Sequence, residues 1–298
     1  MAHVAYPEIF VKSALNAVKG MPFDWSLNPY LGCAHGCYYC FARAYHARYR
    51  ERNVGSDFDR NVEVRVNIAE QLRSELRRPR DGSLAIGTAT DPYQPIEGRY
   101  RLTRRCLEVL VEHPMPTSIV TKGPLVVRDI DVLRELDRRT DVTVYFSVPC
   151  VDEGVVRKTD PGTAPPRQRL RAVRMLRDAG IDAAVLCAPL LPGISDSAQS
   201  IDRAAKAASE AGATAFRHRP LKIDPEIRDY YFDFLASEFP ALGPMYAALY
   251  KGSNHPTREY QRDLEQRVRD AARRYEFRER PPRDREQIEE AEQLALAI

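Results

Sequence analysis

The chain has 298 residues, 44% of them hydrophobic and 29% charged, enough to bury a sizeable core and inconsistent with general disorder. No apolar run reaches the roughly 18 residues of a membrane span, and no short apolar stretch follows a basic start, so a cytoplasmic location without a membrane partner is expected. The net charge of +3, from 45 basic and 42 acidic side chains, is too small to imply a nucleic-acid partner by itself.

Residues 1–22 precede any regular periodicity and are expected to form an N-terminal extension packed on the main domain. A strand is predicted at Ser26–Tyr30, then a loop rich in cysteine, then a helix at Phe41–Arg52. From Leu84 onward short apolar runs alternate with amphipathic stretches, the pattern of βα units with parallel strands. Strands are predicted at Leu84–Thr88, Thr117–Thr121, Thr143–Val148, Ala183–Ala188 and Thr214–Phe216, each rich in β-branched, aromatic or small apolar residues. Between them, Leu102, Cys106, Val109 and Leu110, then Ile130, Leu133 and Leu136, then Leu170, Val173 and Leu176 repeat at helical spacing. Gly180 and Gly212 stand where helices stop before strands.

About six βα units are too few for a closed eight-stranded barrel. The expected fold is α/β, a partial (β/α)6 TIM-like barrel over residues 23–220, with a C-terminal helical extension over 221–298. Right-handed crossovers put every strand-to-helix loop on one face, and chemistry is expected there. Arg258–Glu292 mixes both charge signs and reads as a solvated terminal helix.

Of the six cysteines, Cys33, Cys37 and Cys40 crowd into one loop, whereas Cys106, Cys150 and Cys187 are scattered and Cys106 and Cys187 read as core. Three thiolates on so short a loop can converge on one metal centre. An iron–sulfur cube normally takes four protein ligands; with three, one iron keeps a position open for a substrate or cofactor. Gly32 and Gly36 let the backbone curl around such a cube. The alternative is a non-catalytic, zinc-stabilised binding protein with His35 or His46 as fourth ligand, although C-x3-C-x2-C differs from the paired knuckles of most zinc sites. Apart from that role His46 reads as an unspecialised helix-surface histidine.

C-x3-C-x2-C with an aromatic residue before the last cysteine is the signature of the radical S-adenosylmethionine (SAM) superfamily, which the chain resembles over Phe23 to Pro220. The run from Asn28 to Cys33, the run from Tyr39 to Arg43, and Thr88 to Glu97 look like its spore photoproduct lyase-related branch. The resemblance implies a [4Fe–4S] cluster held by Cys33, Cys37 and Cys40 whose open iron chelates the methionine part of SAM. Reductive cleavage would then give a 5′-deoxyadenosyl radical for hydrogen abstraction from an unknown substrate. An electron donor such as a flavodoxin or ferredoxin is implied too. Nucleic-acid repair of the spore photoproduct lyase kind is the sharper alternative.

By the same resemblance Tyr39 lies along the adenine, and Thr90 and Asp91 meet the cofactor's amino group; the plain reading of Asp91 is a turn before Pro92. Ser147 is placed for the ribose or carboxylate, or is a strand-end hydroxyl. Arg167 and Arg169 could pair with the carboxylate, or lie on a helix surface. Leu190 to Gly193 could wall the adenine. Tyr93, Gln94 and Glu97 are expected on the substrate side, and Arg99, Arg101, Arg104 and Arg105 form a basic cluster suited to phosphate or simply to solvent. The hydrogen-donating cysteine of spore photoproduct lyases aligns with Tyr145, so Cys150 or Tyr145 quenches the product radical, or no protein donor is used. Cys150 otherwise packs as a small hydrophobe.

Overall fold

The structure, a computed structural model, describes residues 4–50 and 53–278. Its strands are β1 (Glu8–Ile9), β2 (Leu15–Ala17), β3 (Trp25–Leu27), β4 (Tyr30–Leu31), β5 (Glu63–Arg65), β6 (Leu84–Ile86), β7 (Thr117–Thr121), β8 (Val142–Ser147), β9 (Asp182–Leu190) and β10 (Phe216–Pro220). The helices are α1 (Ala42–Arg50), α2 (Ser56–Arg60), α3 (Ile68–Leu76), α4 (Glu97–Tyr100), α5 (Leu102–Glu112), α6 (Ile130–Arg139), α7 (Glu153–Thr159), α8 (Pro166–Asp178), α9 (Ala198–Glu210), α10 (Pro225–Glu238), α11 (Gly243–Leu249) and α12 (Arg258–Ala272).

The main sheet has the order β10-β9-β8-β7-β6-β3-β2, parallel throughout except for β2, which pairs antiparallel with β3 at one edge. Six parallel strands separated by helices make the expected partial barrel. The sheet does not close, because β10 and β2 remain its two edges. On β8 the buried side chains Val142, Val144 and Phe146 join one core with Leu107, Leu133, Leu136 and Val173 of the helices. Thr143, Tyr145 and Ser147 alternate onto the opposite face, as the two-residue strand period requires.

Three expectations change. The predicted strand Ser26–Tyr30 breaks at Asn28-Pro29, since proline offers the ladder no N–H. Tyr30–Leu31 instead pairs with β5, which also pairs with β1, in a separate three-stranded sheet beside the cysteine loop. The alternation Val62, Val64, Val66 was the sequence signal for β5. The last strand shifts from Thr214–Phe216 to Phe216–Pro220, because an edge strand tolerates the exposed Arg217 and Arg219. Within the predicted terminal helix Arg258–Glu292, α12 buries Leu264, Val268 and Ala271 against α9 and β10 rather than being wholly solvated, and residues 279–292 lie outside the described residues. Among the described residues no helix is long and apolar enough to cross a membrane.

Candidate functional site

The cysteine loop leaves β4 and is shaped by close backbone contacts. Gly32 has φ +88°, and a Cβ there would meet the Phe58 carbonyl oxygen at 2.7 Å, so only glycine fits. The Cys33 N–H donates to that same Phe58 carbonyl at 2.9 Å. Behind the loop Gln94 is fully buried: its Oε1 accepts from Ala34 N at 2.9 Å, and its Nε2 donates to Gly32 O and to Thr90 Oγ1. Thr90 in turn donates to Gly32 O at 2.6 Å. Cys33 and Cys37 are buried and Cys40 is half-buried.

A buried charge group closes on Cys37. The Lys122 ammonium, just past β7, lies 3.2 Å from Cys37 Sγ, donates to the Tyr39 hydroxyl at 2.5 Å, and pairs with Asp160 at 3.0 Å. Burial alone would depress that ammonium, but Asp160 and Cys37 outweigh it and raise its pKa above the ordinary lysine value. Arg169, fully buried on α8, reaches the same carboxylate at 3.6 Å and donates to Ser147 O at 2.9 Å; Ser147 Oγ donates to Ala188 O. Burial pushes the Cys33 thiol well up and the Cys37 thiol to about 12, the latter helped by Asp160 and opposed by Lys122.

Asp91 is the second hub. Its carboxylate accepts from Tyr93 N, Thr121 Oγ1 and Lys122 N and lies 3.3 Å from His35 Nδ1. The turn reading therefore holds, extended into a brace between the second and third parallel strands and the cysteine loop. Burial would raise this carboxyl, but His35 and the donated hydrogen bonds hold it below the ordinary value. Its stabilising contribution is thus present above the usual carboxylate pKa of about 4 and is lost as pH falls toward the lower folded value. Asp91→Asn should cost about 1–3 kcal/mol near neutrality, with the gap to wild type closing below about pH 4. Urea unfolding across that range checks it, and a pH-independent gap would refute it.

Other expected site residues move elsewhere. Arg167 is 72% exposed and pairs with Glu153, because it lies two residues from Arg169 and so on a different side of α8. Arg167→Ala should leave stability within about 0.5 kcal/mol and SAM binding unchanged; a binding loss in calorimetry would return it to the site. Leu190 belongs to the main core, and it is Leu191 that shares an apolar cluster with Cys37 and Tyr39. Tyr93, Gln94 and Glu97 are buried rather than facing substrate: Glu97 accepts from Tyr30 OH and Thr103 N and pairs with Arg128. Arg104 is held by Glu108, Asp129 and Asp131, and Arg105 by Glu70, so neither is free for phosphate. His46 lies edge-on to Phe58. The Cys150 thiol is buried, directed to Asp152 O at 3.8 Å, and raised by burial to about 11. Lys122 and Asp160 were not singled out from the sequence, nor were the pairing of His35 with Asp91 and the burial of Arg43 expected.

The donor set fits an iron–sulfur cube. Three thiols on one short loop can each take a separate iron of a cube. A lysine ammonium against one sulfur suits thiolates rather than thiols. A model of the radical SAM superfamily matches residues 27–205, and the chain belongs to that superfamily. It is accordingly an enzyme whose cofactors are a [4Fe–4S] cluster and SAM, which displaces the zinc-stabilised alternative. An uncharacterized protein of Mycobacterium tuberculosis is 38% identical over 270 residues, 89% of this chain and 79% of the relative. A radical SAM Nα-GlyT isomerase of Pseudomonas phage M6 is 27% identical over 56% of this chain and 33% of its own length. A spore photoproduct lyase variant with bound AdoMet and dinucleoside spore photoproduct superposes with TM-score 0.71 at 15% identity, covering 91% of this chain and 79% of that one, which establishes the shared fold.

Proposed function

We propose that Cys33, Cys37 and Cys40 hold the cluster, that SAM binds beside Lys122, and that the enzyme acts on a nucleic-acid substrate entering along the β10 edge. The observation that carries the reading is the convergence of the three-cysteine loop with Lys122, Tyr39, Asp160 and Arg169 at the carboxyl ends of parallel strands. Cluster and SAM together supply a 5′-deoxyadenosyl radical able to take hydrogen from an unactivated carbon.

The chain's own part is to orient and to exclude. Lys122 offers its ammonium to the cofactor's carboxylate, with Ser147 and Arg169 on the same hydrogen-bonded group. Tyr39 and Leu191 supply apolar surface for the adenine side. Thr90 and Asp91 act by holding the loop that carries the ligands. Tyr145, on the strand face of Ser147, is better placed than the buried Cys150 to return a hydrogen atom to a product radical. A flavodoxin or ferredoxin in the cytoplasm is the proposed electron source.

Support for the substrate comes from the strand edge and from the relatives' names. Arg217 is in register with Leu186, and Leu186 with Ser147, so an exposed arginine shares the site's face of the sheet; Arg219 follows on the same edge, also exposed. Anisotropy with short single-stranded and duplex oligonucleotides should give binding that weakens with salt and weakens further in an Arg217→Glu, Arg219→Glu double variant. Salt-independent or absent binding would remove nucleic acid and leave a small-molecule substrate.

A further inference from the structure

Arg43, three residues past Cys40, is fully buried, and its guanidinium is held on every side. Nε donates to the Cys37 carbonyl at 2.9 Å, Nη1 donates to Val54 O at 2.6 Å and Gly55 O at 2.9 Å, and Nη2 pairs with Asp59 at 2.9 Å. Its planar face lies 4.9 Å from the Phe58 ring centroid and 4.8 Å from that of Tyr230 on α10. Asp59 itself lies against the loop, with Oδ2 3.6 Å from where a Cβ on Gly36 would stand. Its side chain is 21% exposed, whereas that of Arg43 is wholly covered.

A buried ion pair is a poor source of stability, since desolvating two charges offsets most of their attraction. Arg43 needs another reason to be where it is. Its position supplies one: a charge that cannot be lost, fixed by four hydrogen bonds of which one is to the peptide carbonyl of Cys37. Reducing a cluster held by three thiolates adds a negative charge, and nearby fixed charge sets how readily that happens. The Asp59 carboxylate is partly exposed and also lies 4.0 Å from Arg60, so of the pair the buried guanidinium is the less screened charge.

Resting on the cluster assignment above, we propose that Arg43 tunes the cluster's reduction potential, with Asp59 as its partial counterweight. The group is separate from Lys122, which touches Cys37 Sγ itself. No reactant contacts Arg43; it acts through charge and through the Cys37 peptide.

The test is an EPR-monitored redox titration of the reconstituted full chain without SAM. Arg43→Gln, which keeps a donor but removes the charge, should lower the potential. Asp59→Asn, which keeps an acceptor for Nη2, should raise it. Each shift should be about tenfold in the reduction equilibrium, 59 mV for one electron. Arg43→Lys should return the potential close to wild type. A clamp with no electrostatic role would leave every variant that loads iron at the wild-type potential, and that result overturns the proposal. If Arg43→Gln does not fold, an unmoved Asp59→Asn potential overturns it equally. Wild-type protein that fails to take up iron would instead refute the cluster assignment.

Discussion

Replacing Cys37 with alanine is expected to strip the protein of iron and reduce SAM cleavage to background. Cys37 is one of only three thiols on the loop, and the remaining cysteines are committed elsewhere: Cys106 in α5, Cys187 in β9 and Cys150 under the loop after β8 are all buried. None can swing in as a substitute. Losing an outer partner of a metal site costs 10–100-fold in affinity or activity, so losing a ligand from a three-ligand cluster should exceed about 100-fold. Iron and sulfide analysis after anaerobic reconstitution, with 5′-deoxyadenosine measured by chromatography, reads both effects. Cys106→Ala is the control and should keep its iron. Full iron content in Cys37→Ala would end the ligand assignment.

Lys122→Met is expected to give the second-largest effect, on stability and on cofactor binding together. The ammonium holds the fully buried Asp160 at 3.0 Å, and without it that carboxylate keeps the Tyr39 hydroxyl and Arg169 at 3.6 Å while its Oδ1 already lacks a hydrogen bond. Breaking a buried pair by removing one partner costs about 3–5 kcal/mol. Because Lys122 is slightly exposed and Arg169 remains, the low end, about 3 kcal/mol, is expected. Lys122→Arg keeps the charge and should recover most of the stability. SAM affinity should fall at least about tenfold in Lys122→Met, the scale of one lost charged contact. Denaturant unfolding and anaerobic calorimetry separate the two losses. Unchanged SAM affinity would make Lys122 purely a partner of Asp160.

The superfamily was legible because the three cysteines are close in sequence: a loop of eight residues carries its chemistry in its spacing. The parallel strands were legible because β-branched runs between amphipathic segments have few other solutions. What escaped is what the chain brings together from far apart. Lys122 reaches Cys37 across 85 residues, and in sequence it is one lysine after a strand. Gln94 and Glu97 looked like pocket lining because they are polar and flanked by prolines. They are buried because the cysteine loop and α5 present backbone groups that need partners. Leu190 and Leu191 point to opposite sides of the chain, as do Arg167 and Arg169, and only the register of a finished element says which one faces the site. The C-terminal helices gave no hint of joining it, yet Phe234 of α10 stacks on Tyr38 at 4.2 Å, next to Cys37 in the chain.

The most direct test of the whole reading is metal and product analysis of the wild-type chain purified and reconstituted without oxygen. Membership of the superfamily and a three-cysteine loop predict about four iron and four sulfide per chain. They also predict 5′-deoxyadenosine and methionine on adding SAM and dithionite. Stoichiometric zinc without iron, or a fully loaded cluster that leaves SAM intact, would contradict the account.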